Sequence, residues 1–240
     1  MDITRLTKPA RKLLPLKTCG AVIVAAGTAF RMGGIDKVMA PLGGEPMIAR
    51  TVRTFQNCDA ISEIVIVTRE DLILPMTALT REMSKVKAVV VGGKSRQESV
   101  SLGLNALSSK VKLAAIQDGA RPLITWEVID RTVRAANTYG AAAPAIPVKD
   151  TIKVVEGRIV KSTPDRSTLF AVQTPQVFDF DLLRAALKKA EAEGAAVTDD
   201  CSAVELMGMS VKIVEGDERN IKVTTPMDLK IAELLLEERS

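Results

Sequence analysis

The chain of 240 residues is 47% hydrophobic and 26% charged, a balance that suits one large α/β domain and excludes disordered and fibrous classes. It contains no histidine, which removes Ser-His-Asp and Cys-His nucleophiles, His-ligated zinc and imidazole acid–base chemistry together. The net charge of +4 is mild, and five Phe with single Trp126 and Tyr139 leave few platforms for stacking nucleic-acid bases, so no nucleic-acid partner is expected and the excess cation points to a small anion.

The first eighteen residues carry Arg5, Lys8, Arg11, Lys12 and Lys17 around a short apolar piece, Leu13-Leu14-Pro15-Leu16. That piece is too short for a secretory core, so residues 1–18 are expected to be a mobile basic extension. No stretch approaches the roughly 18–20 apolar residues of a membrane span, and no membrane association is expected. Cys19, Cys58 and Cys201 form no CxxC pair, so neither a disulfide framework nor a thiolate metal site is implied, and a reducing cytoplasm is the expected location.

From residue 19 onward, short Val/Ile/Ala runs alternate with amphipathic segments. Strands are expected at Ala21–Ala25, Glu63–Thr68, Lys87–Val91, Leu113–Gln117 and Ala141–Ile146, and helices at Pro46–Gln56, Asp71–Met83, Arg96–Leu107 and Trp126–Thr138. Near-continuous apolar strands separated by helices predict a doubly wound, mainly parallel sheet covered on both faces. The stretch Asp150–Thr163 breaks the rhythm with two alternating segments around Glu156-Gly157, which predicts a protruding β-hairpin, a flap or an arm reaching a neighbour. A helix over Asp179–Gly194, a shorter one over Ala203–Gly208, a strand over Ser210–Glu215 and a closing helix over Pro226–Glu238 complete a single domain spanning 19–240.

Three strand ends carry chemistry. The first runs into Ala25-Ala26-Gly27-Thr28-Ala29-Phe30-Arg31-Met32-Gly33-Gly34, with Lys37 beyond; small residues let backbone N–H groups approach a phosphate chain, and the two cations supply charge. Neither GxxxxGK[ST] nor GxGxxG is present, and a plain glycine-rich turn remains an alternative. After the third strand, Gly92-Gly93-Lys94-Ser95-Arg96-Gln97-Glu98-Ser99 reads either as a close approach to a flat base with Ser99 at its edge, or as an N-cap turn with Ser95 and Glu98 completing a capping box. The fourth strand ends in Gln117-Asp118-Gly119-Ala120-Arg121-Pro122, where Asp118 suits a sugar hydroxyl or a magnesium shell, or simply forms a turn. Lys149-Asp150-Thr151, Asp165-Arg166, Thr198-Asp199-Asp200 and Asn220-Ile221-Lys222-Val223-Thr224 each read alone as solvated surface.

In one order, AAGTAFRM, GGKSRQESV, QDGARP, PVKDTIK, Asp165-Arg166, QTPQVF, TDDCSAVE and VEGDERNIKVTTPMDL make the chain resemble the 2-C-methyl-D-erythritol 4-phosphate cytidylyltransferases of the nonmevalonate isoprenoid pathway, over roughly residues 20–238. The resemblance implies a Rossmann-like nucleotidyltransferase that joins CTP to a polyol phosphate with divalent magnesium and releases pyrophosphate. Carried over residue by residue, it implies that Arg31 and Lys37 stabilise charge at the α-phosphate while Ala25, Ala26 and Gly27 line the nucleotide. It further implies that Gly93, Lys94 and Ser99 border the cytosine, with Asp118 and Gly119 at the sugar and metal region. Thr151, Arg166, Thr198 and Lys222 would hold the acceptor, Arg166 and Lys222 aiming its nucleophilic oxygen. In the family the hairpin, here about 148–166, is an arm exchanged in a homodimer. The chain departs from the family's usual AAGxGxRM at Ala29 and Phe30, and Lys37 is followed by Val38. Rival readings are ribitol 5-phosphate as acceptor, a silent nucleotide-binding regulator and, more remotely, a dinucleotide oxidoreductase.

Overall fold

The computed structural model describes residues 15–27 and 37–238. In chain order the elements are β1 (Cys19–Ala25), β2 (Pro41–Leu42), β3 (Glu45–Pro46), α1 (Met47–Gln56), β4 (Glu63–Thr68), α2 (Ile73–Leu79), β5 (Val86–Val91), α3 (Arg96–Ala106), β6 (Leu113–Asp118) and α4 (Trp126–Tyr139). They continue with β7 (Ala141–Pro147), β8 (Val154–Glu156), β9 (Ile159–Ser162), β10 (Phe170–Val172), β11 (Gln176–Asp179), α5 (Phe180–Ala192), α6 (Asp200–Glu205), β12 (Lys212–Glu215) and α7 (Pro226–Glu237).

An eight-stranded sheet runs β10-β7-β11-β6-β1-β4-β5, with β12 also paired to β7. The β1, β4, β5 and β6 strands are parallel, and so are β7 and β12, whereas β10 and β11 run antiparallel to their neighbours. Because successive side chains on a strand point to opposite faces, Ala21 and Ile23 of β1 join Ile64, Ile66, Leu113 and Ala115 in one core. Val22 joins Val65, Val67, Ala114 and Ile116 in the other. The apolar stripes of α1 and α4 close the first core and those of α3 and α5 the second, which makes the sheet doubly wound. Cys19 and Cys58 lie in the first core and Cys201 in the second.

Ser95 caps α3, accepting from the Glu98 amide, and α4 stops at Gly140, whose φ of +85° suits only a residue without Cβ. At the N-terminal side, Lys17 binds Asn137 through its amide and Asp179 through its ammonium group. The last part of the basic stretch therefore lies against the ends of α4 and β11.

Four expectations need correction. The helix over Asp71–Met83 is shorter, a 3₁₀ turn at Glu70–Leu72 followed by α2, on which only Met76 is buried; without a longer apolar stripe no further turn is held in place. The helix placed at Ala203 begins at Asp200, because Asp199 and Ser202 form a reciprocal capping box. The β10 and β11 strands, short and separated by Pro175, were not expected at all. The hairpin exists, but its turn sits one residue later, at Gly157-Arg158 with φ of +54° and +74°, the pair of positive values that a tight primed turn demands. Both hairpin strands are exposed along their whole length.

Candidate active site

The order β5-β4-β1-β6 reverses direction between β1 and β6, and ligands of such sheets bind outside the carboxyl ends of the strands at that crevice. A cleft of about 530 Å³ opens there. Among the described residues its charged lining consists of Lys37, Lys94, Arg96 and Lys222 with one carboxylate, Asp118. The register of β1 and β6 sets Asp118 opposite Val24, so the carboxylate and the Ala25-Ala26-Gly27 backbone meet at one rim.

Backbone approach is possible because the residues are small. A Cβ on Gly92 would lie 2.4 Å from the Ala26 Cβ, so any larger residue would push the β1 and β5 ends apart. Ser99 Oγ accepts from the Gly93 amide at 3.1 Å and donates to the Ser95 carbonyl at 2.8 Å. The hydroxyl thus holds the loop and keeps one acceptor lone pair uncommitted. The N-cap turn is formed, with a modification: Ser95 caps α3, but Glu98 closes back on the Lys94 amide at 2.6 Å rather than on the capping residue.

Asp118 is the electrostatic hub. Its carboxylate lies 2.8 Å from Lys222 Nζ, 3.6 Å from Arg96 Nη2 and 3.9 Å from Arg121 Nε. Burial opposes its charge, but Lys222, then Arg96 and Arg121, outweigh that penalty and hold the carboxyl below its ordinary value. The loop carrying Lys222 is pinned to the body: the Val223 amide donates to the Ala120 carbonyl, Arg121 Nη1 to the Asn220 carbonyl at 2.6 Å, and Asn220 Nδ2 to Gln173 and Thr174.

Of the residues expected to act, Ala25, Ala26, Gly27, Lys37, Gly93, Lys94, Ser99, Asp118 and Lys222 line this cleft. Gly119 stands behind it as a spacer, its amide on the Val24 carbonyl and its carbonyl on Thr51 Oγ1. Thr198 precedes α6, its amide on Ser202 Oγ. Thr151 and Arg166 lie exposed on the hairpin side, away from the cleft lining, with Arg166 Nη1 donating to the Lys149 carbonyl. Arg31, Ala29 and Phe30 fall outside the described residues.

Arg96, Arg121 and Asp200 were not anticipated. Asp200, read as part of a solvated acidic cluster, is only 1% exposed and binds Arg96 at 2.7 Å. The available signal was Arg96 itself, a cation opening a helix against the helix dipole. Among the described residues no group of three or more His, Cys, Asp or Glu side chains stands ready to cage a metal, and no helix is long and apolar enough to cross a membrane.

Glycine-lined strand ends at the switch point, in a cleft whose described lining holds four cations and one carboxylate, form the layout of a nucleotidyltransferase, and that is the class of this enzyme. The family model IspD, 2-C-methyl-D-erythritol 4-phosphate cytidylyltransferase, matches residues 19–238, and the chain belongs to that family. A curated relative of that name from Symbiobacterium thermophilum is 46% identical over 91% of this chain and 93% of its own. Another from Halalkalibacterium halodurans is 47% identical over 91% and 96%. The crystal structure of 4-diphosphocytidyl-2C-methyl-D-erythritol synthase from Anaerococcus prevotii superimposes with a TM-score of 0.84 at 32% identity, covering 92% of this chain and 96% of that one.

Proposed function

We propose that the enzyme transfers the cytidylyl group of CTP to 2-C-methyl-D-erythritol 4-phosphate, giving 4-diphosphocytidyl-2-C-methyl-D-erythritol and pyrophosphate, a step of nonmevalonate isoprenoid synthesis. The observation that carries this reading is the cleft at the β1/β6 switch point, lined by Lys37, Lys94, Arg96, Lys222 and Asp118, in a chain of this family. A phosphate oxygen of the acceptor attacks the α-phosphorus of CTP; the new P–O bond forms as the bond to the bridging oxygen breaks, and pyrophosphate departs with that electron pair. A phosphate monoester is largely dianionic at neutral pH, so no general base is needed, in keeping with a chain free of histidine.

The protein then has to align the reactants and offset negative charge. Lys37 and Arg31 compensate charge at the α-phosphate, Ala25, Ala26 and Gly27 follow the triphosphate by main chain, and Gly93, Lys94 and Ser99 border cytosine. Asp118 and Gly119 serve the sugar region, while Lys222 and Thr198 hold the acceptor phosphate. A Mg²⁺ ion fits this donor set as an ion held chiefly by nucleotide phosphates, with Asp118 as the one carboxylate among the described residues of the cleft lining. Bound there, it would neutralise charge on the triphosphate.

Residues 19–240 act as one cytidylyltransferase domain behind the basic stretch 1–18, in the cytoplasm. The arm at about 148–166, carrying Thr151 and Arg166, serves the cleft of a second copy in a homodimer. The exposed Val154, Val155, Ile159 and Val160 support this assignment, since such side chains gain by being covered. Sedimentation at micromolar concentration should give a dimer; a fully active monomer refutes the exchange.

The test of the reaction is magnesium-dependent pyrophosphate release from CTP with 2-C-methyl-D-erythritol 4-phosphate and, in parallel, ribitol 5-phosphate. Release with the first alone is the expected result. Release with the second alone moves the enzyme to the other polyol, and silence with both beside measurable CTP binding leaves a nucleotide-binding regulator.

A further inference from the structure

Arg96 is the first residue of α3, next to the positive end of the helix dipole, and its side chain is only 32% exposed. Neither setting favours a guanidinium. Two carboxylates compensate it: Asp200 Oδ2 at 2.7 Å from Nη2 and Asp118 Oδ1 at 3.6 Å from the same nitrogen. Asp200 belongs to the first turn of α6 and is 1% exposed, and its backbone amide is fixed by Gln176 Oε1 at 3.0 Å. A buried ion pair of this kind contributes little to net stability, because desolvation of both partners offsets their attraction.

The pair does have a geometric consequence. Asp118 is also the carboxylate that holds Lys222, at 2.8 Å. Besides Arg121 at 3.9 Å, Lys222 and Arg96 compete for it, and Asp200 draws Arg96 aside. An Arg left without Asp200 would find Asp118 as its next anion, within a shift of less than 1 Å, and a guanidinium forms a two-point contact with a carboxylate that an ammonium group cannot match.

We propose that Asp200 is a positioning residue: by retaining Arg96 it reserves Asp118 for Lys222, and so holds Lys222 where an acceptor phosphate is met. The last clause rests on the reaction proposed above, whereas the reservation of Asp118 does not. The base-side loop is held by contacts that exclude the Arg96 side chain, namely Gly93 to Ser99, Ser99 to Ser95 and Lys94 to Glu98. Loss of Asp200 should therefore be felt on the acceptor side before the nucleotide side.

The primary test reads Lys222 directly, with no substrate present. An ammonium group held against a carboxylate is shielded from amine-directed reagents, and one released from it is reached sooner. The rate of Lys222 acylation, followed by mass spectrometry on the free enzyme, should rise severalfold in Asp200→Asn, where Arg96 takes up the carboxylate that otherwise holds the ammonium group at 2.8 Å. It should return toward the parent rate in Asp200→Asn/Arg96→Met, where the competitor is gone.

Steady-state kinetics supply the second readout. In Asp200→Asn, kcat/KM for the acceptor should fall by about tenfold to a hundredfold, the size of one charge-assisted hydrogen bond. CTP affinity by calorimetry should fall by less than that, since of the nucleotide contacts only Asp118 at the sugar region is reached and the base-side loop keeps its own bonds. An unchanged Lys222 rate in Asp200→Asn, or an equal rise in the single and double variants, overturns the proposal and leaves Asp200 as core support. A parent enzyme that shows the labelling pattern yet releases no pyrophosphate refutes the reaction and leaves the positioning intact.

Discussion

Lys222 Nζ stands 2.8 Å from Asp118 Oδ2, joining the C-terminal loop to the end of β6 inside the cleft. Asp118→Asn removes the charge that Lys222, Arg96 and Arg121 share. Arg121 Nε, buried and without a hydrogen-bond partner, then also loses its nearest anion. The variant should lose about 1–3 kcal/mol of stability and about tenfold to a hundredfold in kcat/KM, read by thermal unfolding and pyrophosphate release. A variant with parental kinetics would separate the hub from the chemistry.

Lys37 opens a 3₁₀ turn, Lys37–Met39, whose buried residue is Val38, while Lys37 itself is half-buried and lines the cleft. Lys37→Ala therefore takes the charge out of the cleft while Val38 keeps its place in the core. Lys37→Ala should lower turnover by about 10²–10³, the effect of removing one electrostatic stabiliser of a developing charge. The unfolding midpoint should move by about 4 °C or less, as for a loss of about 1 kcal/mol in a chain of this size.

Those two predictions use residues that the sequence made visible; others were hidden by their nature. The run EIVIVT marks β4 at its observed bounds, Glu63–Thr68, because a strand buried on both faces must be apolar throughout. The small residues near Ala26 and Gly92 were legible for a similar reason, since only they permit the observed approach. Asp200 was misread because its burial is produced by Arg96 and Gln176, partners distant in sequence that no local pattern announces. The β10 and β11 strands escaped because pairing with β7 and β6, rather than length or periodicity, makes them strands.

Gly103 shows where the fold tolerates no addition. It faces the sheet from α3, and a Cβ there would lie 2.3 Å from Val22 Cγ1 and 2.8 Å from Val67 Cγ2, both in the second core. Gly103→Ala gains helix propensity but overpacks this contact, with an expected net loss of about 1–3 kcal/mol. The midpoint should fall by about 2–10 °C, whereas activity per folded molecule, measured well below the midpoint, should stay near the parental value because Gly103 lies outside the cleft lining.

The acid limb of stability has an identifiable contributor in α7. Asp228 accepts hydrogen bonds from the amide and hydroxyl of Thr224 and from the Thr225 amide, each at 2.8 Å, while Thr225 caps the helix in return. The Thr224 amide is the largest cause, and together these bonds lower the Asp228 carboxyl to about 2. A carboxyl lowered in the fold binds its proton more tightly when unfolded, so its contribution is complete above the ordinary value near 4 and disappears as pH falls toward about 2. Asp118 acts in the same direction. Asp200, raised by burial against the pull of Arg96, acts in the opposite one. Unfolding measured from pH 6 to pH 2 should therefore show a shallower acid slope for Asp228→Asn than for the parent between about pH 4 and pH 2. Parallel curves over that interval would mean that the capping box persists in the unfolded ensemble or contributes nothing to the fold.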